Sequence, residues 1–120
     1  MNRQNKLVCL LEPDEAVRVA LSAFLRQRGW DVVREGQAGE LKAWLDTKSP
    51  VALISESRLP DMNAEEVLSI CIANGIPAIF TGHGRDIDAA VNLMRKGASD
   101  FLEKPFNQQR LIDSLNSLTE

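Results

Sequence analysis

Leu7-Val8-Cys9-Leu10-Leu11-Glu12-Pro13-Asp14 runs five consecutive apolar residues into an acidic exit broken by proline. Five residues are too few for a buried helix. They suit a strand covered on both faces, because such a strand has no polar side to turn to water. A second run of this kind, Val51 to Ser55, leads into Glu56. Shorter runs at Asp31 to Arg34, Ala78 to Thr81 and Asp100 to Leu102 complete a set of five candidate strands.

The intervals between these runs have helical period. Val17, Leu21, Phe24 and Leu25 fall on one face and Gly29 ends that helix. Further core-facing stripes are predicted at Leu41, Trp44 and Leu45, at Val67, Ile70 and Cys71, at Ile87, Val91 and Met94, and at Leu111, Leu115 and Leu118. Asn63 with Glu66 resembles a capping box, Asp86 and Asn107 are candidate N-caps, and Gly75 and Gly97 are candidate terminators. Short apolar strands alternating with amphipathic helices predict an α/β fold, a doubly wound five-stranded parallel sheet. In such a sheet the functional groups gather at the carboxyl ends of the strands. Those ends carry Glu12, Pro13 and Asp14, then Glu56, Ser57 and Arg58, then Thr81 to Gly84, then Lys104 and Pro105.

With 120 residues, 44% of them hydrophobic and 26% charged, the chain reads as a single globular domain over 1–120. It shows no linker, repeat or low-complexity tract. Cys9 and Cys71 form no zinc or redox pattern and are predicted to be buried free thiols. The segment Met1 to Lys6 opens onto an apolar run too short for a signal peptide or a membrane span, so the expected location is cytoplasmic, with no membrane contact. Fourteen basic residues stand against 17 acidic ones, a net charge of -3 without a basic stripe, so direct nucleic-acid binding by this domain is not expected.

Three strings occur in order around the same crevice: Arg58-Leu59-Pro60-Asp61-Met62, Thr81-Gly82-His83-Gly84 and Phe101-Leu102-Glu103-Lys104-Pro105-Phe106. Together with the acids after the first strand they resemble the receiver domain of two-component response regulators, over essentially the whole chain. They are similar to receivers that precede helix-turn-helix transcription domains. The resemblance implies the (βα)5 flavodoxin-like receiver fold. In that family two adjacent acids and an aspartate hold Mg²⁺, and the aspartate takes a phosphoryl group from a histidine kinase. A hydroxyl and a lysine then bind the phosphoryl oxygens. Thr81 and Lys104 match those two positions, Phe101 matches the switching aromatic, and Lys104-Pro105 implies a cis peptide.

The departures lie at the centre of that chemistry. Glu56 occupies the phosphoacceptor position, and the acid pair reads Glu12-Pro13, with a ring that offers no side-chain oxygen. Asp14 is expected to turn toward the first helix. Mg²⁺ demands near-octahedral oxygen coordination at short distances, so its binding should be weak or absent, and no other cofactor is implied. Phosphoryl transfer relies on that ion, and a glutamate sets its carboxylate one C–C bond, about 1.5 Å, beyond the place an in-line approach to aspartate requires. Glu56 is therefore expected not to be phosphorylated under ordinary receiver conditions. Two readings of it stay open: an imitation of the acyl phosphate, paired with Lys104 and Thr81, or simple inertness.

Pro13, Arg58 and Pro105 rim the pocket. Arg58 either pairs with Glu56 or Glu12 or is a solvated loop arginine, and His83 has no second candidate ligand beside it. The expected function is that of an atypical receiver, a pseudo-receiver without enzymatic activity. It would act as a protein-interaction module on a partner or fused output domain, or as a homodimer, through its fourth helix, fifth strand and fifth helix. The rival is a Mg²⁺-dependent phosphoacceptor using Glu12, Asp14 and Glu56, or a neighbour such as Ser55 or Ser57, to control a transcriptional output domain. A flavin or nucleotide binder would need a glycine-rich loop after the first strand, where Glu12-Pro13-Asp14 stands instead.

Overall fold

The computed structural model describes residues 5–119; the reading of Met1 to Gln4 as part of an untargeted start lies outside them. Five parallel strands, β1 (Leu7–Leu11), β2 (Asp31–Glu35), β3 (Ala52–Glu56), β4 (Ala78–His83) and β5 (Asp100–Lys104), form one sheet in the order β2-β1-β3-β4-β5. Helices α1 (Glu15–Gln27), α2 (Leu41–Lys48), α3 (Ala64–Ala73), α4 (Ile87–Arg95) and α5 (Gln108–Thr119) connect and cover it, with a short 3-10 turn at Gly84–Asp86. This is the expected doubly wound parallel sheet.

Alternation along β1 explains the layers. Val8 and Leu10 point to one face, with Leu25 of α1 and Leu111 and Leu115 of α5. Cys9 and Leu11 point to the other, with Trp44 of α2, Val67 and Cys71 of α3, and Leu93 of α4. Successive strand side chains face opposite ways, so a strand feeding both layers must be apolar throughout. Each fully buried leucine contributes about 1.5–3 kcal/mol. Both cysteines are free and buried, and burial pushes each thiol up to about 12.

Helix starts follow local chemistry. Asp14 accepts from the N–H of Val17 (3.2 Å), Asn63 from that of Glu66 (2.8 Å) and Asn107 from that of Gln109 (2.7 Å). Gly29, Gly75 and Gly97 all take positive φ just past a helix end. Asp86 departs from its expected role. It stands at the N-cap position of α4 but its side chain caps nothing.

The stripe on α4 also departs from expectation. Ile87, Val91 and Met94 were predicted to face the core, yet they are 67%, 44% and 44% exposed, and Leu93 is the buried residue of that helix. The nine-residue helix rests on α3 and on the edge strand β5, so only one flank is covered. Helical period shows that an apolar face exists; the neighbours decide whether it is covered.

Strand β5 runs further than its apolar residues indicate, because parallel pairing with β4 continues to His83 and Lys104. That extra length delivers the lysine to the crevice. The sheet changes winding direction between β1 and β3, so Glu12 and Glu56 leave neighbouring strands at the point where such folds place their sites.

Candidate functional site

The centre of the crevice is three charged side chains at three strand ends. Lys104 Nζ donates to Glu12 Oε1 and to Glu56 Oε1, both at 2.6 Å. The side chains are 15%, 3% and 9% exposed respectively. Burial alone would lower the affinity of Lys104 for its proton. The hydrogen bonds to Glu12 and Glu56, with their charges, outweigh it and raise the lysine above its ordinary value.

The other carboxylate oxygens are also occupied. Glu12 Oε2 accepts the N–H of Asp14 at 3.0 Å, and Glu56 Oε2 accepts the Ser57 hydroxyl at 3.1 Å and the Arg58 N–H at 3.2 Å. Four acceptor oxygens thus meet donors from the chain itself. A buried charge needs this degree of satisfaction to persist.

The remaining site residues fall into place around that cluster. Asp14 lies beside it, but its carboxylate is spent on the start of α1 and only its N–H reaches Glu12, so it adds no carboxylate to the acidic pocket. The reason is geometric: an N-cap side chain folds forward over its own helix. Pro13 occupies the turn between them. Thr81 is buried opposite Glu56 in the β3–β4 register, but the carboxylate takes its hydroxyl partner from Ser57 and not from Thr81. Phe101 is half-buried on β5, and its ring leans over Gly82: a Cβ there would sit 2.7 Å from both Phe101 Cζ and Ser57 Oγ. Lys104-Pro105 is cis.

Arg58 is a largely solvated loop arginine, its side chain 74% exposed. Its guanidinium pairs with Asp86, 28 residues on, rather than with Glu12 or Glu56. His83 is exposed at the rim. Among the described residues, no three His, Cys, Asp or Glu side chains converge as a metal site requires.

One residue at the site has no signal in the sequence. Arg18 reaches back from α1 and donates to the Glu12 carbonyl at 2.7 Å, holding the β1–α1 turn. It passes over Gly36, where a Cβ would lie 2.9 Å from Arg18 Nη1. An arginine on the first turns of a helix is ordinary; its partner, the Glu12 carbonyl, becomes visible only once the turn between β1 and α1 is folded.

The model of the response regulator receiver domain family matches residues 8–116, and the chain belongs to that family. It is 33% identical over 116 residues to the transcriptional regulatory protein FixJ of Rhizobium meliloti (strain 1021), covering 94% of this chain and 56% of that protein. It is 36% identical over 119 residues to nodulation protein W of Bradyrhizobium diazoefficiens, covering 95% of this chain and 51% of that protein. The crystal structure of FixJ-N superposes with a TM-score of 0.86 at 30% identity, over 98% of this chain and 95% of that one. Full-length FixJ from B. japonicum gives 0.82 at 28% identity, over 98% of this chain and 59% of that one. The chain spans about half the length of the curated relatives FixJ and nodulation protein W. Among the described residues no helix is long and apolar enough to cross a membrane.

Proposed function

We propose that this receiver is a pseudo-receiver: a cytoplasmic signalling module, not an enzyme, that controls a partner or fused output domain without phosphorylation at Glu56. The observation that carries the reading is the lysine bridge. Lys104 Nζ lies 2.6 Å from both Glu12 and Glu56 and holds the two carboxylates a metal or phosphoryl group would need. The donor set supports the same conclusion for Mg²⁺. Pro13 has no side-chain oxygen, the Asp14 carboxylate caps α1, and the ion tolerates few substitutes for oxygen ligands at short distance. The residues present do not fit it.

Glu56 imitates one half of an acyl phosphate. The bond to Lys104 is present, whereas the hydroxyl bond comes from Ser57 rather than Thr81. Output runs through the face formed by α4, β5 and α5, where Ile87, Val91 and Met94 are exposed and suit a protein partner or a second copy. The relatives named as transcriptional regulators support a transcriptional output domain. The net charge of -3 argues that DNA contact belongs to that domain and not to this one.

An amide NMR titration with Mg²⁺, followed by beryllofluoride as a phosphoryl imitation, tests the reading. Unmoved resonances around Glu12, Glu56, Thr81 and Lys104 are expected. Saturable shifts there would install the Mg²⁺-dependent phosphoacceptor instead. Glu56→Gln, which removes the charge facing Lys104, is expected to change dimerisation or partner affinity; an unchanged affinity would leave Glu56 inert.

A further inference from the structure

Arg58 touches two places at once. Its backbone N–H donates to Glu56 Oε2 at 3.2 Å, and its guanidinium donates from Nη2 to Asp86 Oδ1. The loop after β3 that carries Arg58 is closed on its other side by an isolated bridge between Arg58 and Asn63. Arg58 is thus in hydrogen-bond contact with both Glu56 and Asp86.

Asp86 is the last residue before α4, and its carboxylate turns away from that helix toward the loop after β3. The side chain is 8% exposed against 74% for Arg58, and among the described residues its Oδ2 has no hydrogen-bond partner. A buried carboxylate satisfied on one oxygen only depends heavily on the single donor it has. Helix α4, for its part, buries little, and its other side-chain ties are exposed ones, from Asn92 and the following Lys96 to Glu65 of α3. Leu93 is its one buried residue, and three of its apolar side chains face outward. Elements with few buried contacts sit at the low end of local stability, so one tie at the start of α4 weighs heavily on its placement.

We propose that Arg58 and Asp86 are positioning residues, a clasp that couples the Glu56 carboxylate to the placement of α4 and of its exposed Ile87, Val91 and Met94 face. The clasp extends the pseudo-receiver reading by supplying the route from site to output, and it rests on that reading only in taking the α4 face as the output.

The test uses the full chain, with hydrogen exchange and amide shifts recorded for Asp86→Asn, Arg58→Gln and Glu56→Gln, and for Glu56→Gln combined with each of the others. Exchange protection in α4 is expected to fall about tenfold in Asp86→Asn and Arg58→Gln, measured against the amides of β1 and β3. Asp86→Asn should also move the amides of Ser57 and Arg58, and Glu56→Gln should move those of α4. In the doubles the α4 effect should be no larger than in the stronger single. A pair that merely braces α4 would lower protection without shifting the Glu56 side, and its effects would add to those of Glu56→Gln; either result overturns the clasp. Should Asp86→Asn fail to fold, Arg58→Gln alters only a largely exposed side chain, and its α4 protection alone and combined with Glu56→Gln decides between coupling and simple addition. Coupling that persists while dimerisation and partner affinity stay unchanged supports the clasp and removes the α4 face as the output.

Discussion

The two ends of β5 carry the same kind of interaction in different surroundings. At the carboxyl end, Lys104 is closed in by Glu12 and Glu56. At the amino end, Asp100 accepts Arg110 Nη1 at 2.8 Å, Arg110 Nη2 at 3.1 Å and the Ser114 hydroxyl at 2.9 Å, with the Arg110 side chain half exposed. Burial would raise the Asp100 carboxyl, but the bonds from Arg110, Ser114 and the Phe101 N–H outweigh it and hold the group below its ordinary range. Each end is a satisfied ion cluster. The Arg110 side of the rim cluster is half exposed and ties α5 to β5, whereas the Lys104 cluster is enclosed at the site. Breaking an enclosed pair strands a charge that water cannot recover, whereas an exposed pair gives its members back to solvent.

Lys104→Met should therefore be the largest effect, a loss of about 3–5 kcal/mol in urea unfolding, because two buried carboxylates lose their cation. A loss no greater than at the other end would show that water fills the crevice in solution. Gly82→Ala follows. Its methyl would press on both Phe101 and Ser57, and overpacking of this kind costs about 1–3 kcal/mol. A neutral result, checked by the same denaturation, would mean that the Phe101 ring swings away freely.

Asp100→Asn is expected to cost about 0.2–1 kcal/mol, as exposed pairs do. Its pH dependence sharpens the comparison. Asp100 is lowered in the fold, so its contribution is present above the ordinary value of 3.8 and disappears as pH falls below it. Lys104 is raised in the fold, so its contribution is complete below the ordinary 10.5 and disappears as pH climbs past it. Urea midpoints measured across pH should bring Asp100→Asn together with the parent chain at the acid extreme, and Lys104→Met at the alkaline extreme. Convergence in the opposite order would reverse both assignments.

Much of this was legible along the chain. The apolar runs of β1 and β3 announced buried parallel strands, since residues that alternate between two covered faces leave no polar position. Asp14, Asn63 and Asn107 announced helix starts because a cap bonds within three residues of itself. Glu12, Glu56 and Lys104 could be gathered at one crevice because parallel strands present their carboxyl ends together and because the strings around them resemble receivers. The apolar period of α4 was equally plain, yet it gave the wrong side to water. Periodicity is a property of one helix, and exposure depends on what stands beside it.

The sequence by itself determined the five strands, the layering of their side chains, the missing oxygen at Pro13 and the lengthened acid at Glu56, all of which follow from local geometry and residue chemistry. Only the tertiary structure decided that Lys104 bridges both glutamates, that Ser57 and not Thr81 bonds Glu56, that Arg18 holds the turn after β1 and that Arg58 reaches Asp86. Those partners lie 6 to 92 residues apart, apart from the neighbouring Ser57. A hydrogen bond depends on distances and angles of a few tenths of an ångström and a few tens of degrees, which chain spacing across strands and turns does not specify.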